Sequence, residues 1–300
     1  MAASLMENFS LYFAVFALAA TSGLIAERSG VVNVGIEGFM IIGGLLASLV
    51  GSSLEPIAGN GSQIIALLVG ALFGGLLSLL HSFASIKLKA DQIVSGTAIN
   101  LLAQGFGLYI ATTGSTFING KYTIIALDSL NIISIYLIIT IIITLSAGLY
   151  FTFTKPGMRH IAAGENPNAL EAAGVNVIKY RVLAVFVSGC IAALAGGIYI
   201  ITVKGSYFRG TADGFGFLAL AIMIVGQWRI KFVAIASAAF AFFFALSKVL
   251  PLYTNSGWLT QNKNLFLVLP FVLSLGTMIV LSKWSKPPAA VGIPYDKSKR

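Results

Sequence analysis

Charged side chains are scarce in this sequence. Asp, Glu, Lys and Arg make up 10% of its 300 residues, where an ordinary soluble domain carries about 25%. A single cysteine, Cys190, excludes an internal disulfide and a cysteine metal site; within its apolar run it reads as a small packed hydrophobe. The two histidines, His81 and His160, are too far apart along the chain to suggest a metal pair. The sequence holds no G-x-x-x-x-G-K-[ST] phosphate loop, no H-E-x-x-H and no Ser/His/Asp set of catalytic appearance. The chain is therefore expected to bind no ATP by that route and to carry no catalytic residue, metal or cofactor. The start also lacks the basic stretch of a cleaved signal peptide, so the first apolar run reads as an uncleaved span.

Apolar sequence fills the space left by charge. Hydrophobic residues make up 57% of the chain and mean hydropathy is +0.92. Residues 8–26, 38–54, 62–85, 92–113, 129–153, 182–203, 215–228, 232–247 and 264–282 contain no Asp, Glu, Lys or Arg. Most approach the roughly 20 residues that cross a hydrocarbon core as a helix. Barrel strands would be shorter and alternate apolar with polar, whereas residues 132–144 are apolar on every face, as suits a lipid-exposed helix. The fold class expected is all-α, a polytopic transmembrane bundle of about nine spans, eight to ten. Runs 38–54 and 215–228 are short and read as broken or tilted helices.

The net charge of +9 is distributed as a membrane protein distributes it, with no call for nucleic acid. If the loop at 154–181 is cytoplasmic, that face gains Arg28, Lys87, Lys89, Lys155, Arg159, Lys179, Arg181, Arg229, Lys231 and five basic residues after position 282. The other face gains Lys121, Lys204, Arg209, Lys248 and Lys263. This asymmetry follows the positive-inside rule and predicts an external N-terminus and a cytoplasmic C-terminus. Residues 1–282 read as one transmembrane domain. Residues 283–300, with Pro287-Pro288 and charges, read as a basic, disordered tail.

Two segments interrupt the apolar rhythm. Residues 27–38 (ERSGVVNVGIEG) are too short and apolar for a free loop and suit a dip into the membrane edge, where backbone is tolerated only if buried in protein or lining water. Residues 205–214 (GSYFRGTADG) mix aromatics with Arg209 and Asp213. Within the fourth run Gln92, Gly96, Asn100 and Gln104 recur every four residues, flanked by Ser95 and Thr97. They form either a solute pathway or a set of hydrogen bonds between helices. Gly70 and Gly74 suit close helix contact or a dimer seam, and Gly189, Gly196 and Gly197 read the same way. Glu27 and Glu37 are the only acidic candidates for ion coupling, and both are expected near an interface. That weighs against a proton- or sodium-coupled carrier.

The one long polar insert is residues 154–181. Asn166 is a good N-cap, Pro167 suits the first helical position, and Gly174 suits the residue after the C-cap. Between them lies a two-turn helix carrying Ala169, Ala172 and Ala173, with Glu171 beside them. Such a helix either docks into another protein or is simply solvated.

At these residues the chain resembles a known family, the permease subunits of bacterial ABC importers for simple sugars and nucleosides, within the branched-chain amino acid permease superfamily. The motifs are GENPNALEAAGVNVIKYRVLAVFVSGCIAALAGG (164–197), ERSGVVNVGIEGFMIIGG (27–44), GTADGFGFLALAIMIVGQW (210–228) and KADQIVSGTAINLLAQG (89–105), the last resembling the nucleoside branch. One departure is Ile230, where family members often have Pro. The resemblance implies an ATP-driven importer in which a separate ABC ATP-binding subunit grips a coupling segment, here Gly164, Glu165, Asn166, Pro167, Ala169, Glu171, Ala172, Ala173 and Gly174. It also implies a second, paralogous permease forming a heterodimer, an extracytoplasmic substrate-binding protein and residence in the bacterial plasma membrane. For a neutral, aromatic nucleoside, the pathway candidates are Gln92, Ser95, Gly96, Asn100, Gln104, Tyr109, Phe215 and Phe217, with Phe106 close by. Ribose or another simple sugar is the alternative cargo. A standalone channel or secondary carrier is the alternative class.

Overall fold

The computed structural model describes residues 1–113, 124–205, 208–253 and 285–296, with isolated positions between 268 and 280. Among the described residues ten α-helices follow one another: α1 (Ala2–Arg28), α2 (Ile36–Ala58), α3 (Ser62–Ser82), α4 (Gln92–Thr113), α5 (Ile135–Phe153), α6 (Lys155–Glu165), α7 (Pro167–Ala172), α8 (Val177–Thr202), α9 (Phe215–Val225) and α10 (Ile230–Tyr253). Among the described residues the only β feature is an isolated bridge between Ala126 and Ser134. Six helical stretches among the described residues are long and apolar enough to cross a membrane; one of them, Ile36–Lys87, comprises both α2 and α3. The first eight apolar runs each coincide with a helix; α9 is short as expected, whereas run 38–54, also expected short or broken, lies in the continuous 23-residue α2. The ninth run, 264–282, lies largely outside the described residues.

Helix α8 is the core of the bundle, packed against α1, α2 and α3. Small residues make that position possible. A Cβ added to Gly43 would meet the Ala193 carbonyl oxygen at 1.8 Å, and one on Gly196 would meet the Met40 oxygen at 2.0 Å. Backbones of α2 and α8 thus touch directly, the close approach that small residues permit in membrane bundles. Gly74 meets Ala193, and Gly70 lies against Gly43, so these two glycines join helices of one chain.

Helix α5 behaves as its all-apolar sequence predicts. Ile142, Leu145 and Leu149 point outward and are exposed, while Thr140 donates to the Ala14 carbonyl at 3.2 Å on the buried side. Its start is capped by Ser134, which accepts from the Leu137 N–H.

The C-terminal segment departs from its reading as a disordered tail. Residues 285–296 cross the base of the bundle as a strap. The Ala290 N–H donates to the Gly164 oxygen at 2.8 Å and the Gly292 N–H to the Gly30 oxygen at 3.2 Å. Arg181, 1% exposed, donates to Ile293 O at 2.9 Å and to Ala163 O at 3.3 Å. Lys89 pairs with Asp296 at 2.8 Å. Composition alone pointed to disorder; the backbone acceptors that Arg181 joins give this segment its fixed path.

Candidate functional site

Two breaks in the helical pattern meet inside the bundle. After α1 the chain runs through residues 29–35 without helix, yet Ser29, Val31 and Asn33 are all fully buried. Buried backbone that has left a helix needs other hydrogen-bond partners, and side chains from α3 and α4 supply them. Gln92 Oε1 accepts from the Val32 N–H at 2.7 Å. Asn100 accepts from the Gly38 N–H at 2.7 Å and donates to the Val34 oxygen at 2.8 Å. Asn33 donates to Ser188 at 2.7 Å, and Ser188 donates to Ser22 O at 2.6 Å. His81 Nε2 lies 3.0 Å from the Val32 oxygen and Nδ1 3.0 Å from Ser95 Oγ. A carbonyl can only accept, so the His81 proton sits on Nε2 and Ser95 donates to Nδ1.

The second break precedes α9. Asp213 (φ 55°) and Gly214 (φ 80°) both turn left-handed, which stops the incoming chain and aims the first amides of α9 into the bundle. Those amides have no intrahelical acceptor. Glu37 reaches across from the first turn of α2 and takes two of them: Oε1 accepts from Gly214 N–H at 2.9 Å and Oε2 from Gly216 N–H at 2.7 Å. A carboxylate is the group that a helix N-terminus favours. Asp213 accepts from the Tyr199 hydroxyl and pairs with Lys204. Phe215 then inserts between Tyr199 and Phe16, with ring centroids 4.7 and 5.1 Å away.

Glu37 is therefore buried inside the bundle at the start of α9. Its neighbour Gly38 is bonded to Asn100, the ninth residue of α4 and about 12 Å along that helix. Glu27 secures the other end of α9, accepting from Trp228 Nε1–H at 2.6 Å, while Arg28 Nε–H donates to Trp228 O at 2.7 Å. The two carboxylates considered for ion coupling thus clasp the two ends of an 11-residue helix, about 16 Å long and half a span. Sequence reasoning did not assign this role. Its signal was present: one interruption that begins at Glu27 and ends beside Glu37, and a second that opens a short apolar run.

The pathway candidates divide. Gln92, Gly96 and Asn100 are buried against residues 30–38, Ser95 is half-buried on His81, and Phe215 belongs to the core. Gln104 is exposed, as are Phe106, Tyr109 and Phe217. The stripe parts because four residues advance a helix by about 400°, so three such steps rotate the face by about 120°. Gln104 has left the face that Gln92 began.

The polar insert folds as its capping residues dictate. Asn166 Oδ1 accepts from the Ala169 N–H at 3.1 Å and Pro167 opens α7. Gly174, at φ +81°, follows the C-cap. The Gly174 N–H donates to Glu171 O at 2.9 Å and the Val175 N–H to Leu170 O at 3.2 Å, the paired bonds of a Schellman ending. Leu170 anchors the helix on Ala163 and Val177, with Val175, Tyr180 and Tyr295 packed alongside. Glu165, Asn166, Ala169, Ala172, Ala173 and Gly174 are exposed, with Pro167 and Glu171 half-exposed. Gly164 is different: it is buried, and a Cβ there would meet the Arg28 oxygen at 2.3 Å. It seats the segment on the end of α1.

A multi-pass bundle whose broken spans meet within it, with one short helix held off its end, has the build of a membrane transport protein. Residues 5–277 match the family model for the permease component of the branched-chain amino acid transport system, and the chain belongs to that family of transport permeases. It is 31% identical over 315 residues to the nucleoside ABC transporter permease protein NupC of Lactococcus lactis, covering 98% of this chain and 97% of that one. It is 33% identical over 310 residues to the guanosine ABC transporter permease protein NupQ of Bacillus subtilis, covering 97% and 95%. It is also 33% identical over 309 residues to the uncharacterized MG121 homolog of Mycoplasma pneumoniae, covering 98% and 97%.

Proposed function

We propose that this chain is the membrane-spanning permease subunit of an ATP-driven importer that carries nucleosides across the plasma membrane, with ATP hydrolysed by a separate subunit. The observation that carries this reading is the near full-length similarity to two permeases named for nucleosides and for guanosine. In this reading the N-terminus is outside, the C-terminus is cytoplasmic, and residues 154–181 form the coupling segment of a 1–282 permease domain. The ATP-binding subunit grips the exposed small-residue face of α7, made by Ala169, Ala172, Ala173 and Gly174, with Glu165, Asn166, Pro167 and Glu171 at its edges. Gly164 holds that face in place. A paralogous permease completes a heterodimer, and an extracytoplasmic binding protein delivers the solute.

The solute-facing part of the path is Gln104, Tyr109 and Phe217: an amide that bonds a polar base or sugar and rings that stack on it. Gln92, Ser95, Gly96, Asn100 and Phe215 form the wall behind it. Uptake of labelled adenosine, with and without this chain, tests the reading. Chain-dependent uptake blocked by unlabelled guanosine and not by ribose is the expected result. Competition by ribose assigns the machine to a sugar, and chain-dependent uptake without any ATP-binding subunit refutes the ATP-driven reading.

A further inference from the structure

A groove of about 790 Å3 opens between α5, the end of α1 and the turn joining α9 to α10. Its walls are apolar, with Leu145 and Leu149 from α5 and Phe232 from α10. Three basic residues also line it, Arg28, Arg229 and Lys231. These three cations sit at helix ends: Arg28 closes α1, while Arg229 and Lys231 bracket the first residue of α10. The apolar walls belong to span depth and the cations to the membrane edge.

Among the described residues no carboxylate lies within ion-pair distance of any of the three. Glu165 attracts Arg28 only from farther away, and its carboxylate accepts from the Ala289 N–H at 3.2 Å. Arg28 is held by its Nε–H bond to Trp228 O, and Arg229 lies 6.0 Å from the Phe232 ring centroid. Like charges gathered without a counter-ion repel one another, and the arrangement is stabilised when an anion joins them.

We propose that this groove binds an anionic phospholipid, its phosphate among Arg28, Arg229 and Lys231 and one acyl chain along Leu145 and Leu149. A soluble anion satisfies the cations and leaves the walls unfilled. A zwitterionic lipid fills the walls and cancels less charge. Basic pockets between spans at the membrane edge suit anionic headgroups, each cation near the surface adding attraction. The site requires only this chain and a bilayer, so it stands or falls independently of the cargo.

Trp228 lines the groove and serves as the reporter. In the full chain carrying Trp258→Phe and Trp284→Phe it is the sole tryptophan. The chain is reconstituted in phosphatidylcholine vesicles containing increasing amounts of brominated phosphatidylglycerol or brominated phosphatidylcholine. Brominated phosphatidylglycerol is expected to quench Trp228 at the lower mole fraction. Arg229→Gln with Lys231→Gln, both exposed positions, is expected to shrink that preference by on the order of tenfold, with the circular-dichroism spectrum unchanged. If the pair fails to fold, Arg229→Gln alone carries the comparison. Equal quenching by the two lipids, or a preference that survives the variants, overturns the proposal. So does a preference abolished by soluble glycerol phosphate, which reports a free-anion site, or by the docked ATP-binding subunit, which reports a protein-covered face.

Discussion

Asn100 uses both ends of one amide to hold backbone that has left its helix, and no apolar residue can replace it in that role. Asn100→Leu orphans the Gly38 N–H and the Val34 carbonyl, each a loss of about 1–3 kcal/mol when buried. We expect reduced thermal stability in detergent and weakened uptake, with the ATP-binding subunit still bound. An unchanged melting temperature would show that the unwound segment finds other partners. His160 gives a pH signature. It sits in α6, outside the spans, where burial lowers its pKa from 6.5 to about 4 against the opposing bond to the Ile25 carbonyl, with Arg28 adding to the lowering. Nε2 is 2.8 Å from that carbonyl. The unfolded chain takes up a proton near 6.5 while the folded one stays neutral until about 4. Stability is therefore full above 6.5 and falls by up to about 3 kcal/mol as pH drops to 4. Melting curves across that range should show His160→Gln flattening the slope; an equal slope in both proteins would assign the titration elsewhere.

At the scale of the element, α7 is the part read most directly from sequence, because its boundaries are set by local chemistry. Asn, Pro and Gly each act within a few residues of themselves. Gly174→Pro forbids the left-handed turn and removes the N–H that closes the helix. We expect the variant to insert and to lose transport; normal uptake by it would sink the coupling role. The strap was not legible for the opposite reason. Its path depends on Arg181 in α8 and on oxygens at residues 163 and 293, contacts that no local window contains. Arg181→Met should free residues 285–296, detectable as faster amide hydrogen exchange there, while the helices keep their protection. The clasp of α9 was half legible: the short run and both glutamates were visible, but their meeting required knowing how far into the bundle α2 begins.

For the whole molecule, hydrophobic runs were a good guide to the helices. The eight runs within the described residues lie on helices because each must satisfy its own backbone in lipid. Which glycines touch which helix was not written in any run, since small residues mark close approach without naming the partner. The α2–α8 seam is the sharpest case. Gly196→Leu would need space already filled by the Met40 oxygen, and we expect it to abolish accumulation of the folded chain in membranes. Normal accumulation would mean the two helices can part.

That seam also decides where movement resides. A contact between two backbones has no flexible tips to yield, and interiors packed at crystal density compress little. Helices α2, α3 and α8 must therefore travel as one piece, like a keystone that is carried and never bent. Any change of shape during a working cycle is left to the less embedded α4 and α5, or to the boundary with another subunit.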